Sequence, residues 1–159
     1  MFRLNKLTDY GLVIMQYLGN RPKTALHSTR ELIAATQLPP ATVVKILKSL
    51  LDHQLLVSYR GIKGGYALAR PATEISVAAI VEALEGPIGF TECAITPGYC
   101  GLEGVCGIQH SSTVISHALH QTLEGITLSD LTASLTLGNR TSRHGNVLTA
   151  ITLGTGRVQ

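Results

Sequence analysis

Two adjacent prolines, Pro39 and Pro40, limit what the N-terminal half of this chain can build. Proline pushes the residue before it out of α geometry, so a helix approaching Leu38 has to end there. At the first position of a new helix its missing N–H costs nothing, and Pro40 can open one. Both flanks read as helix. Ser28-Thr-Arg-Glu31 has capping-box spacing just ahead of Leu32 and Ile33, which predicts a short helix over about 28–36. After Pro40, an inner stripe of Val43, Leu47, Leu50 and Leu51 carries a helix to about His53. Thr42, Lys45, Ser49 and Asp52 mark its opposite face, with Lys48 at the edge. Two short helices across a tight turn, the second with a small, polar and basic face, make a helix-turn-helix. A small helical bundle with a solvated lysine face has the same pattern, and the helices alone do not separate the two.

The next segment does. Leu55–Tyr59 and Tyr66–Ala69 read as strands joined by Arg60-Gly-Ile-Lys-Gly-Gly65. A hairpin with two cations on a glycine-rich tip, directly behind a helix-turn-helix, reads as a wing. Arg60 and Lys63 would meet phosphates or the minor groove beside the recognition helix. A dinucleotide cradle needs a strand before its glycines and a helix after them, and here the loop joins two strands. Upstream, Leu7, Tyr10, Val13, Ile14, Tyr17 and Leu18 predict a first helix over about 8–19, with Thr8 as N-cap and Gly19-Asn20 as stop. Charge agrees with a nucleic-acid partner. Residues 1–75 carry ten Lys/Arg against four Asp/Glu, while residues 76–137 carry six acids and no Lys or Arg. A basic half joined to an acidic half favours a polyanion at one end.

Ser76 caps a fourth helix over about 76–85, stopped by Gly86-Pro87. All three cysteines follow, Cys93, Cys100 and Cys106, interleaved with Gly98, Gly101, Gly104 and Gly107 and ending at His110. Glycine permits tight turns, so this loop is expected to turn three sulfurs towards one point. That is an incomplete soft-metal site, which a fourth ligand would complete as zinc or an iron–sulfur cluster; His110 is the nearest donor. The spacing lacks the short C-x-x-C knuckles of zinc, and an odd cysteine count argues against a disulfide framework. A catalytic cysteine needs a base and a pocket, and the histidines are not patterned for that.

Val114, Ile115, Ala118, Leu119 and Thr122 or Leu123 mark a longer helix over about 108–124, whose apolar face suits a two-fold dimer, with packing back on the first domain as the alternative. Thr127-Leu-Ser-Asp130 opens a short helix to about 135, and the tail 138–159 has no period and is expected to be mobile. No apolar run approaches the ~18 residues of a membrane span. The charged N-terminus lacks a signal-peptide core, so the expected location is the cytoplasm.

The wing Arg60-Gly-Ile-Lys-Gly-Gly-Tyr66, the opening Arg3-Leu-Asn-Lys-Leu-Thr-Asp-Tyr10 and the three cysteines after Glu85-Gly-Pro87 together resemble the Rrf family of bacterial winged-helix regulators, over roughly residues 1–135. Leu7-Thr-Asp-Tyr-Gly11 and Ala83-Leu-Glu-Gly-Pro-Ile88 look closest to its Suf-system branch, which controls iron–sulfur assembly genes. The resemblance implies a homodimer with a long crossing helix, and an iron–sulfur cluster (2Fe–2S or 4Fe–4S) held by three cysteines per subunit. In the Isc branch the fourth ligand is a histidine three residues past the last cysteine; Gln109 stands there in this chain and His110 one later. In the nitric-oxide branch it is an N-terminal aspartate of the other subunit, and Asp9 occupies the matching position.

The expected fold is therefore mainly α with a small β-hairpin wing. A winged helix-turn-helix covers 1–75, a linker helix and cysteine-rich cluster loop 76–110, a dimerisation helix and short helix 111–137, and a flexible tail 138–159. The expected function is an iron–sulfur-dependent repressor of iron–sulfur assembly genes that binds double-stranded operator DNA. Its metal ligands would be Cys93, Cys100, Cys106 and His110, and its DNA contacts Thr42, Lys45, Lys48, Arg60 and Lys63. A nitric-oxide or redox sensor of the same family, or a metal-free thiol switch, is the alternative.

Overall fold

The structure, a computed structural model, describes residues 4–22, 24–96 and 98–133; Lys23 and the tail from 138 lie outside the described residues. Helices α1 (Lys6–Gly19), α2 (Thr29–Thr36) and α3 (Pro40–Asp52) precede a hairpin of β1 (Leu56–Tyr59) and β2 (Gly65–Leu68). Then come α4 (Val77–Glu85), the four-residue α5 (Glu92–Ile95), α6 (Gln109–Glu124) and α7 (Leu128–Thr132). The hairpin is antiparallel, in register from Leu56 opposite Leu68 to Tyr59 opposite Gly65.

Several starts and stops follow from local chemistry. α1 begins two residues earlier than the periodicity implied, because the Asn5 side chain accepts from the Leu7 N–H. Thr8 is no cap: it is fully buried, and its hydroxyl donates to Glu85 Oε1 at 2.5 Å. Ser28 does cap α2, accepting from the Glu31 N–H at 3.2 Å. The Glu31 carboxylate also reaches His27 Nδ1 (2.7 Å) and accepts from the Tyr17 hydroxyl (3.2 Å). A left-handed Gln37, φ 57°, ends α2 before the prolines, and Pro40 opens α3 as its residue type allows. At α7 the reciprocal box between Thr127 and Asp130 is complete.

One core unites the N-terminal elements with α4 and α7. Ile14, Met15, Leu32, Val43, Ile46, Leu47, Leu50, Leu55, Ile75, Ile80 and Leu128 are all essentially inaccessible. On α3 the buried set is Val43, Ile46, Leu47 and Leu50, the i, i+3, i+4, i+7 pattern of a single face. Ile46 thus replaces the expected Leu51, which is only half-buried. Ser49 is likewise not on the outer face: its hydroxyl donates to the Ala83 carbonyl of α4 at 2.6 Å.

Two backbone stitches position the functional surface. His27 and Tyr66 exchange N–H···O bonds of 3.0 and 2.9 Å, which attaches β2 to the segment entering α2. Gly65 is required there, since a Cβ would lie 2.7 Å from the His27 carbonyl group. Val77 N–H to Ile126 O and Leu128 N–H to Ile75 O, both 2.8 Å, return the C-terminal end to the first core. α6 packs against α4 and α5, yet its buried residues are the serines Ser112 and Ser116. Its apolar Val114 and Ile115 are 55% and 40% exposed.

Candidate nucleic-acid interface and cysteine loop

The outward face of α3 consists of Ala41, Val44, Lys45, Lys48 and Asp52, all exposed, with Thr42 half-buried at its flank. Lys45, Lys48 and Asp52 form one wall of a cleft of about 550 Å³, whose other wall includes Asn5 and Glu85. Two acids beside two lysines would ordinarily blunt a phosphate site. Glu85 is turned away from that role: it accepts from the Asn5 N–H (2.7 Å) and the Thr8 hydroxyl, at the end of α1 where backbone donors are orphaned. Neither lysine has an ion-pair partner among the described residues, so both ammonium groups face water.

Arg60 and Lys63 are exposed on the hairpin tip, also without an ion pair among the described residues. The tip is a tight turn closed by Gly64 N–H to Gly61 O at 2.9 Å. Gly61 has φ +118°, and a Cβ on Gly64 would lie 2.2 Å from the Tyr59 carbonyl oxygen, so both glycines are dictated by the turn. The hairpin is held by the His27 stitch, and beneath that stitch His27 Nδ1 lies 2.7 Å from the Glu31 carboxylate. The hydrogen bond from His27 is the largest influence holding the Glu31 carboxyl below its ordinary value, with Tyr17 adding to it. Arg21 lies over the Tyr17 ring, 4.7 Å from its centroid.

The structure adds two residues to this surface. Val44, 56% exposed, sits amid the lysines of α3, and Ile62, fully exposed, sits between the wing cations. On the helix Val44 lies about 100° round from Val43 and beside Leu51, so periodicity alone did not separate it from the buried stripe. Ile62 carried no local signal beyond its place in the glycine tip.

Cys93 lies in α5 with its Sγ 3.3 Å from Thr91 Oγ1. Cys106 follows the single-turn segment Glu103–Val105. All three cysteines are free and half-buried. The loop does not turn its sulfurs to one point: among the described residues no three His, Cys, Asp or Glu are grouped so as to hold a metal ion. His110 is an exposed residue in the first turn of α6, and Asp9 an exposed residue in the first turn of α1. The donor types suit a soft metal, but the loop has nothing of its own to gather them. Tyr99, Leu102 and Val105 are 68%, 66% and 84% exposed, and a Cβ on Gly101, Gly104 or Gly107 would meet only open space. Ligation, where it occurs, supplies the ordering energy of such a segment. His117 is exposed, while His120 pairs with Glu82 at 3.3 Å and ties α6 to α4. No described helix is long and apolar enough to cross a membrane.

Comparison with known proteins agrees with this architecture. The family described as "Rrf2: Iron-dependent Transcriptional regulator" matches residues 4–134. The HTH-type transcriptional regulator NsrR of Oceanobacillus iheyensis is 30% identical over 129 residues, covering 80% of this chain and 88% of its own. Among solved structures, CymR (YrzC), the global cysteine regulator of B. subtilis, superposes with a TM-score of 0.65 at 25% identity, covering 83% of this chain and 97% of CymR. IscR of T. potens shares the fold, with a TM-score of 0.63 at 22% identity over 82% of this chain and 85% of its own. The winged helix-turn-helix, its basic face and the match across nearly all of the described residues make this chain a member of the Rrf2 family of DNA-binding transcriptional regulators, which are not enzymes.

Proposed function

We propose that the chain is a dimeric, cytoplasmic repressor whose grip on operator DNA depends on an iron–sulfur cluster, and that it controls iron–sulfur assembly genes. The observation that carries this reading is the position of the thiols. Cys93, Cys100 and Cys106 all lie on the connection from α4 to α6. α4 belongs to the core under the recognition helix, and its last residue, Glu85, is hydrogen-bonded to the start of α1. α6 exposes Val114 and Ile115, and a second copy of this chain is the partner that would cover them.

Cys93, Cys100 and Cys106 would hold the cluster, with His110 or Asp9 of the partner subunit as fourth ligand. When bound, a cluster supplies iron–thiolate bonds that respond to redox state. Thr42, Lys45 and Lys48 of α3 enter the major groove, and Arg60 and Lys63 of the wing meet the flanking backbone. Two recognition helices must sit about 34 Å apart to read paired half-sites. A connection that changes its set between α4 and α6 changes that spacing. Coupling of about 1–3 kcal/mol, a 5- to 150-fold change in affinity, makes a working switch.

A second reading, a thiol switch without metal, has one observation in its favour: the fold is shared with CymR, whose description is a global cysteine regulator. One experiment separates the two. The protein is purified anaerobically, its iron and sulfide are assayed, and promoter footprints are compared with and without iron, for wild type and the triple Cys→Ser variant. Iron and sulfide in wild type alone, with a footprint that changes on their removal, support the cluster. A protein free of iron whose footprint responds to thiol oxidation establishes the metal-free switch instead.

A further inference from the structure

Among the described residues Ile62 is the most exposed of the large apolar side chains, with its whole surface in water. Single exposed apolar residues are ordinary, so exposure by itself assigns nothing. Its placement does. Ile62 and Lys63 are the two corner residues of the turn that the Gly64 N–H closes on the Gly61 carbonyl. The turn is tightly determined, with Gly61 at φ +118° and Gly64 packed on the Tyr59 carbonyl, so the side chain is presented at the apex of a stiff loop. Exposed Arg60 and Lys63 bracket it, and the hairpin packs on the same core as α3. Cations on both sides of an aliphatic tip match a groove with phosphates on both walls and base edges at its floor.

Resting on the wing reading above, we propose that Ile62 is an apolar wedge for the minor groove. It parts a base step and makes the wing selective for deformable pyrimidine–purine steps at positions that no polar side chain reads.

The probes are duplexes recovered from a random-sequence pool by the full-length protein, with the wing position located by hydroxyl-radical footprinting. Paired versions differ only in the step facing the wing, TA or AA, with 2-aminopurine beside it to report unstacking. Wild type binds the TA duplex more tightly and brightens the probe. Ile62→Ala loses about tenfold on the TA duplex, a moderate share of what burying an isoleucine confers, and little on AA, with the salt slope unchanged. Ile62→Met, still an apolar wedge, restores the preference. If Ile62→Ala keeps the TA preference while Arg60→Ala weakens binding, the wing touches phosphates only and the wedge is overturned. If Ile62→Ala, Arg60→Ala and Lys63→Ala all leave affinity and salt slope as they were, the wing reading itself is overturned and the wedge with it.

Discussion

Glu85→Ala tests whether the C-terminal end of α4 is anchored to α1. The carboxylate accepts from the Asn5 N–H at 2.7 Å and from the hydroxyl of Thr8, which is fully buried. Its loss leaves the Thr8 hydroxyl without its acceptor, at a cost of about 1–3 kcal/mol. The lost attraction between a carboxylate and the start of α1 adds about 0.3–1 kcal/mol. The sum, about 1.3–4 kcal/mol, corresponds to a Tm lowered by about 3–16 °C for a chain of this size. The assay is a double-mutant cycle with Thr8→Val, read by urea and thermal unfolding at one fixed protein concentration. With the hydroxyl already gone, Glu85→Ala should cost about 1 kcal/mol less than in wild type. Additive costs, with coupling inside about 0.5 kcal/mol, would refute the anchor as an energetic link.

Lys45→Ala and Lys48→Ala should weaken binding to all sequences alike, each reducing the slope of log K against log salt by about 1, as titrations over a salt series would show. Gly64→Ala should disable DNA binding more than folding, because its Cβ meets the Tyr59 carbonyl at the hairpin tip and not the core; gel-shift affinity compared with the melting curve checks this. Glu31 has a folded pKa lowered from 4.5, chiefly by His27, so its contribution to stability is present above that value and is lost as the pH falls through the folded value. The stability gap between wild type and Glu31→Gln should therefore be full near neutrality and close under acid, in urea melts across pH.

Much of the architecture was legible from neighbours along the chain. Helical period, Pro40 at a first turn, Ser28 and Thr127 as caps and the glycine tip between two apolar runs are short-range features. Backbone geometry imposes them within a few residues, and the recognition helix and wing followed from them. The same local chemistry misread Thr8, because a threonine hydroxyl serves equally as a cap or as a buried donor, and its acceptor lies 77 residues away. It misread Ser49 for the same reason: its hydroxyl found the Ala83 carbonyl on α4.

Two outcomes required the assembled chain. The return of α7, with Leu128 inaccessible in the first core, depends on backbone bonds between Ile75 and Leu128 and between Val77 and Ile126. No window of sequence contains those pairs. The cysteines show the opposite case: their spacing and glycines permit convergence, yet their loop keeps Tyr99, Leu102 and Val105 in water and leaves the sulfurs ungathered. Residue order limits which backbone conformations are open, whereas long-range burial selects among them, and where little is buried that selection is weak.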